Sequence, residues 1–331
     1  MQTPLWLRFP DEATECPGCS STRITLIDAL PIRRDMKGRR TIFLSGCLSC
    51  GLLFANPVPA PEQLERYYGD EGPYRVHVVE AASAKRAEIK ARGRRAEKPL
   101  RAAERLLNAL APYVPVHEPP AGARVLDFGC GDGKFLDRLQ NRGWDTYGIE
   151  PSTSEAFERH KRLLEPPQDG SFDFVILHHV LEHVTAPLAI LRQLSAALRV
   201  GGVMFISLPS LDLLPRHRLL RYCVDGTKHV LSFSELCLAG YLARTELVVS
   251  ARLDSPELDA ALTKGQPLRL RLVATRVSAG IPMPQVSLGP AVSALRRYYG
   301  ASGVLRRVVP VRLRAGLTDR ARERSRARQR T

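Results

Sequence analysis

A chain of 331 residues is long enough for one sizeable α/β domain with something smaller at either end. With 44% hydrophobic and 25% charged residues and no run of 18 apolar ones, it is neither too polar to fold nor built to span a membrane as a helix. The formal charge of +15 gathers in residues 84 to 107 and after Leu295, which admits nucleic acid, an anionic leaflet or an acidic substrate beside the plainer reading of solvated helix faces.

The first segment, residues 1 to 60, opens with "MQTPLWLRFPDEATECP", which lacks a basic region followed by an apolar stretch, so the expected location is cytoplasmic. Cys16, Cys19, Cys47 and Cys50 follow as "CPGC" and "CLSC" with 27 residues between the pairs. Two such knuckles bring four thiolates around one structural Zn²⁺, and in a cytosolic chain zinc is favoured over disulfides. The gap suits a β-hairpin over "STRITLIDAL" and "RRTIFLSG". Residues 61 to 120 read as a basic, Ala-rich helical connector ending in the loop "VPVHEPPAGA".

From 121 to 278 strand-like and helix-like patterns alternate. Strands are expected at 123–128, 144–149, 172–177, 202–208, 246–253 and 268–276, with helical stretches at 134–142, 153–164 and 186–199. Alternation implies parallel pairing with helices on both faces, a Rossmann-like doubly wound sheet with ligands at the carboxyl ends of its strands. Residues 279 to 331 form a basic C-terminal extension.

The first of these strands runs into "DFGCGDGKFLDRL", which places Gly129, Gly131 and Gly133 between strand and helix just after Asp127. Glycines there let a ligand approach the backbone closely. Glu150 closes the second strand, where a carboxylate accepts the hydroxyl hydrogens of a ribose. The G-x-G-x-G spacing differs from the G-x-G-x-x-G of dinucleotide enzymes and points away from NAD.

These residues resemble class I S-adenosylmethionine-dependent methyltransferases: "VLDFGCGDGKFL" is similar to the family's first motif, "YGIEPS" to its second-strand acid, and residues 170–210 to its fourth strand, following helix, "GG" turn and fifth strand. The resemblance implies that Asp127, Gly129, Gly131 and Gly133 line the methionine and ribose part of S-adenosylmethionine and that Glu150 holds the ribose hydroxyls. Only 22 residues separate Glu150 from Asp173, too few for the usual helix and third strand. The third edge strand is therefore expected to be missing, with Asp169 standing in beside the adenine. "CGLLFANPVPAPEQLERYY" resembles the zinc module that precedes methyltransferase domains in sugar and natural-product pathways, which would bring Tyr67, Tyr68 or Tyr74 to the acceptor.

After the strand "FDFVIL" comes "HHVLEHV", whose His179, Glu182 and His183 spell the H-x-x-E-H of one metalloprotease class. That chemistry needs one helix across the motif, whereas Thr185 and Pro187 suggest a helix start near 185. The stretch instead resembles the family's h-L-E-H-V turn. Methyl transfer is an in-line displacement at a sulfonium carbon, so a hydroxyl acceptor needs a proton acceptor beside it, and His178 or His179 is the candidate base. Relatives with E-x-x-E-H here hold a divalent ion; His179 replaces the first Glu. Downstream, "DGTKHVLSFSELCLAGYL" offers His229 for the acceptor side and Ser232 or Ser234 as a helix cap. Cys130, Cys223 and Cys237 are expected to be buried thiols.

The expected reaction is methyl transfer to a small-molecule acceptor, a saccharide or nucleotide-linked sugar. The alternatives are ribose methylation of RNA, quinone O-methylation, and a degenerate binding module without catalysis. Nucleic acid is the less expected partner: the absence of an Asn-Pro-Pro-Tyr type motif after the fourth strand stands against base N-methylation, while ribose methylation stays open. The Arg-rich tail is expected to dock peripherally on the anionic inner membrane surface.

Overall fold

The computed structural model describes residues 13–31, 41–74, 97–152, 155–212, 229–253 and 269–278. The basic tail, Cys223 and residues 75–96 of the connector lie outside the described residues, as does the expected membrane contact of the tail. Among the described residues no helix is long and apolar enough to cross a membrane.

The main sheet has seven strands in the order β10-β11-β8-β7-β4-β5-β6. Its parallel centre is β4 (Arg124–Phe128), β5 (Asp145–Ile149), β7 (Phe172–His178) and β8 (Leu198–Pro209). Alternate residues feed two cores, as both-faced burial demands. Leu126, Val175, Leu177, Met204 and Ile206 face one side with α4 (Pro187–Ala197) and α5 (Glu235–Ala243). Val125, Phe174, Ile176 and Phe205 face the other with α2 (Glu97–Leu110) and α3 (Lys134–Gln140). At the far edge β10 (Leu247–Arg252) and β11 (Arg269–Arg276) run antiparallel and extend the sheet beyond β8.

The region between Glu150 and Asp173 departs from expectation twice. The predicted helix at 153–164 is a 3₁₀ turn at Glu155–Glu158, and the third edge strand survives as the two-residue β6 (Lys161–Arg162), parallel to β5. With so few residues available, the chain returns to the sheet edge without a full helix, and edge position lets so short a strand suffice.

The N-terminal hairpin forms as expected from β1 (Ile24–Pro31) and β2 (Thr41–Cys47), followed by β3 (Leu53–Asn56). Its sheet continues into β9 (Leu231–Ser232), which lies within the segment read as the catalytic domain. Leu52, Phe54 and Leu64 share one core with α4 and α5. The boundary near residue 60 is thus a boundary in composition, while the packing across it is continuous. Helix α1 (Pro61–Tyr68) starts on Pro61, with the Gln63 side chain accepting the Ala60 amide at 2.9 Å.

Candidate active site

The carboxyl ends of β4 and β5 carry the glycine loop. Gly129 has φ +80°, and a Cβ there would sit 2.4 Å from Cγ2 of Val180, so the loop packs against the turn after β7 only because no side chain intervenes. Gly131, at φ +53°, is different: a Cβ would meet nothing within 4 Å. Its amide donates to Oε2 of Glu150 at 3.1 Å. Among the described residues the backbone at Gly131 is therefore open at the point where it is tied to the carboxylate. Gly133 caps α3. Glu150 also accepts from Ser152 Oγ at 3.3 Å, and burial raises its pKa. Tyr74 stands close enough for the charge of Glu150 to add to burial in raising its own.

Asp127 is 3% exposed. Burial, followed by the neighbouring Glu150 charge, pushes its carboxyl up to about 7. Because the folded pKa lies above the unfolded value of about 3.9, the unfolded chain releases this proton first. Stability of the ligand-free protein should then fall as pH rises from about 4 to about 7, by at most about 4 kcal/mol from this group. Calorimetry of Asp127→Asn between pH 5 and 8 should show that slope flattened; an unchanged slope would remove Asp127 as its source.

The second half of the site is the turn after β7. His179 adopts φ +58°, its amide bonded to the Ser207 carbonyl at 2.7 Å, and the helix α4 begins only at Pro187. The H-x-x-E-H residues therefore sit on a turn, which excludes the metalloprotease arrangement. His179 Nδ1 donates to Oε1 of Glu182 at 2.9 Å, and Glu182 is 1% exposed. The Glu182 carbonyl in turn accepts from the amides of Val230 and Leu231 at 2.9 and 3.1 Å, which seats β9 against this turn. One ligand atom each of Glu182, His183 and His229 falls within 4.8 Å of the others. Among the described residues Oε2 of Glu182 is buried with no hydrogen-bond partner, and with the imidazoles of His183 and His229 beside it the group is a donor set suited to a divalent cation. Tyr68, the last residue of α1, shares a 2.7 Å hydrogen bond with Nδ1 of His183, leaving Nε2 toward Glu182.

The four N-terminal cysteines converge. Cys16 and Cys50 sulfurs are 3.7 Å apart, Cys19 and Cys47 3.6 Å, and all four lie within 4.8 Å of one another. Zn–S bonds of about 2.3 Å place tetrahedral sulfurs roughly 3.8 Å apart, whereas a disulfide needs about 2.05 Å, so the spacing fits zinc. Amides of Ser49 and Cys50 point at Cys47 Sγ from 3.3 and 3.4 Å. Burial pushes the Cys19 thiol up to about 12, whereas hydrogen bonds from Cys16, Cys237, Cys47 and Tyr241 make Cys50 the preferred thiolate.

A family model described as a methyltransferase domain matches residues 92–251. A ubiquinone biosynthesis O-methyltransferase of Xanthomonas campestris pv. campestris (strain B100) is 31% identical over 169 residues, 43% of this chain and 71% of that protein. The chain belongs to the methyltransferase-domain family. The protein is an S-adenosylmethionine-dependent methyltransferase. A second protein named ubiquinone biosynthesis O-methyltransferase, from Xanthomonas axonopodis pv. citri (strain 306), is 35% identical over 121 residues, and the chain spans about half of it, 51%. Among solved structures, 1,6-didemethyltoxoflavin-N1-methyltransferase of Burkholderia thailandensis aligns over 76% of this chain and 100% of its own, at 17% identity and TM-score 0.45.

Within this methyltransferase, Asp127, the three loop glycines and Glu150 come together as expected, but Asp169 does not join them. It is an exposed residue before the start of β7, at the opposite end of the sheet, where it accepts the Ser171 amide at 3.1 Å. The base expected at His178 or His179 also meets a physical obstacle. His178 is packed against Phe135 and stacked on Phe205, and burial holds both histidines well below the usual imidazole range, which makes them poor proton acceptors. His229, partly open and 4.7 Å from His183 ring to ring, is better placed. Of the tyrosines, Tyr68 reaches the histidine wall. Sequence reading did not single out Leu164, 85% exposed just beyond β6 at the same end of the sheet as Glu150. An apolar residue in a loop carries no signal of this kind, because only the parallel pairing of β6 puts it there.

Proposed function

We propose that this methyltransferase moves the methyl group of S-adenosylmethionine onto a hydroxyl oxygen of a small-molecule acceptor, a saccharide or nucleotide-linked sugar. The observation that carries the proposal is the convergence of Glu182, His183 and His229 beside the glycine loop. Glu150 holds the ribose hydroxyls, the ionised form of Asp127 faces the cationic amino acid end, and Leu164 offers apolar surface to the adenine. Glu182 and His183 would hold a divalent ion that lowers the pKa of an acceptor hydroxyl, with His229 beside them kept out of the ligand set as the proton acceptor. His229 accepts the hydroxyl proton as the acceptor oxygen attacks the methyl carbon in line with the departing sulfur. Tyr68 keeps His183 in one tautomer and orientation. The four cysteines hold a structural zinc with no open position for catalysis.

A second reading, methylation of a ring hydroxyl on a ubiquinone precursor, is favoured by the names of the two Xanthomonas relatives. Incubating the native protein with cell extract and isotopically labelled S-adenosylmethionine, then reading by mass spectrometry which metabolite gains the label, separates the two. Labelled sugar supports the first and labelled phenol the second; labelled nucleic acid or an unlabelled extract contradicts both. Because a carboxylate in charge-assisted hydrogen bonds is worth about 1.5–3 kcal/mol, Glu150→Ala should weaken S-adenosylmethionine binding about 10- to 100-fold by calorimetry. An unchanged affinity would take Glu150 out of the cofactor site.

A further inference from the structure

The zinc knuckle and the catalytic sheet meet at one side chain. Tyr241 lies on α5, is 1% exposed, and packs edge-on against Phe233 with centroids 5.7 Å apart. Its hydroxyl is 3.3 Å from Cys50 Sγ. A buried phenol O–H needs an acceptor, and a thiolate is a far better one than a neutral thiol. The knuckle is shaped to admit it: a Cβ on Gly18, the second spacer of "CPGC", would lie 1.8 Å from the Tyr241 hydroxyl oxygen. Any side chain at Gly18 therefore expels the hydroxyl. The helix that carries Tyr241 follows β9, the strand that pairs with β3 and whose amides hold the Glu182 carbonyl.

We propose that Tyr241 is a positioning residue for the metal site: it donates to the zinc-bound Cys50 thiolate, and zinc clasps the N-terminal module to α5 and β9, the elements that back the acceptor wall. The inference rests on the zinc reading given above. The donation withdraws charge from a site whose four thiolates leave it a net dianion, and outer hydrogen-bond partners of metal ligands typically carry about 10- to 100-fold in affinity. No proton or electron changes hands. The consequence is that metal occupancy and the geometry around Glu182 form one cooperative unit.

The test uses the full-length chain, its zinc content measured by elemental analysis and its zinc affinity by competition with a chromogenic chelator. Tyr241→Phe keeps the ring and should bind zinc about 10- to 100-fold more weakly, with S-adenosylmethionine affinity unchanged. In the cobalt-substituted protein its thiolate-to-cobalt band should shift to longer wavelength, a change that mere packing would not produce. Gly18→Ala should weaken zinc similarly, and the double variant no further, which keeps the proposal open to refutation if either single variant folds poorly. Zinc-loaded wild type with an equal affinity in Tyr241→Phe overturns the clasp alone. Wild type that takes up no zinc overturns the zinc assignment and the clasp together.

Discussion

Cys47→Ser should leave the purified chain without the zinc proposed for its cysteine cluster and abolish methyl transfer, although that cluster carries no catalytic group. The reason is the continuity of the packing. Structural zinc in small modules contributes of order 10 kcal/mol, comparable with the whole net stability of a typical domain, about 5–15 kcal/mol. Cys16, Cys47 and Cys50 are part of the same core as α4 and α5, and β3 hydrogen-bonds to β9 on the edge of the acceptor wall. Loss of the metal would free α1 and with it Tyr68, the partner of His183. Elemental analysis, near-ultraviolet circular dichroism and a turnover assay on the variant decide the matter. A variant that keeps wild-type turnover while lacking zinc would show that the module is dispensable for catalysis.

His229→Ala should lower turnover about 10²- to 10⁴-fold, the usual contribution of a positioned base, while S-adenosylmethionine binds within about twofold of wild type. The split between the two readouts follows from position, because His229 stands with Glu182 and His183 while the cofactor cradle proposed above is Asp127, the loop glycines and Glu150. Glu182→Gln should behave alike, since an amide keeps the shape but supplies one weak acceptor where a carboxylate supplies two strong ones. Both variants are read by single-turnover kinetics beside calorimetry. Normal turnover in His229→Ala would transfer the proton acceptor to another group, and a loss of cofactor binding in parallel with turnover would place His229 in the cradle instead.

Much of the site could be read from local pattern. A glycine run between a strand and a helix and an acid at the end of the next strand are separated by only 19 residues from Gly131 to Glu150, and a parallel sheet must bring their ends together. The cysteine knuckles, the hairpin between them and the start of α4 at Pro187 were similarly visible, because each depends on residues within one turn or one hairpin. His178, His179 and Asp169 stand apart from the rest of the site for a related reason. Spacing placed His178 and His179 at the correct loop, but whether a ring faces solvent or the Phe135 and Phe205 rings depends on which face of β7 it occupies and what packs there.

The parallel α/β sheet, the glycine loop with the carboxylate beside it and a four-cysteine cluster were legible in the chain itself, since hydrophobic period, turn residues and short motif spacings act locally. Tertiary packing alone settles that β6 persists as a two-residue strand, that β9 joins the N-terminal sheet, that Tyr68 of α1 reaches His183, and that Tyr241 of α5 reaches Cys50 of the cysteine module. These last contacts join residues 115 and 191 positions apart, and nothing in either local segment encodes a partner so remote; it is set by burial of the shared core.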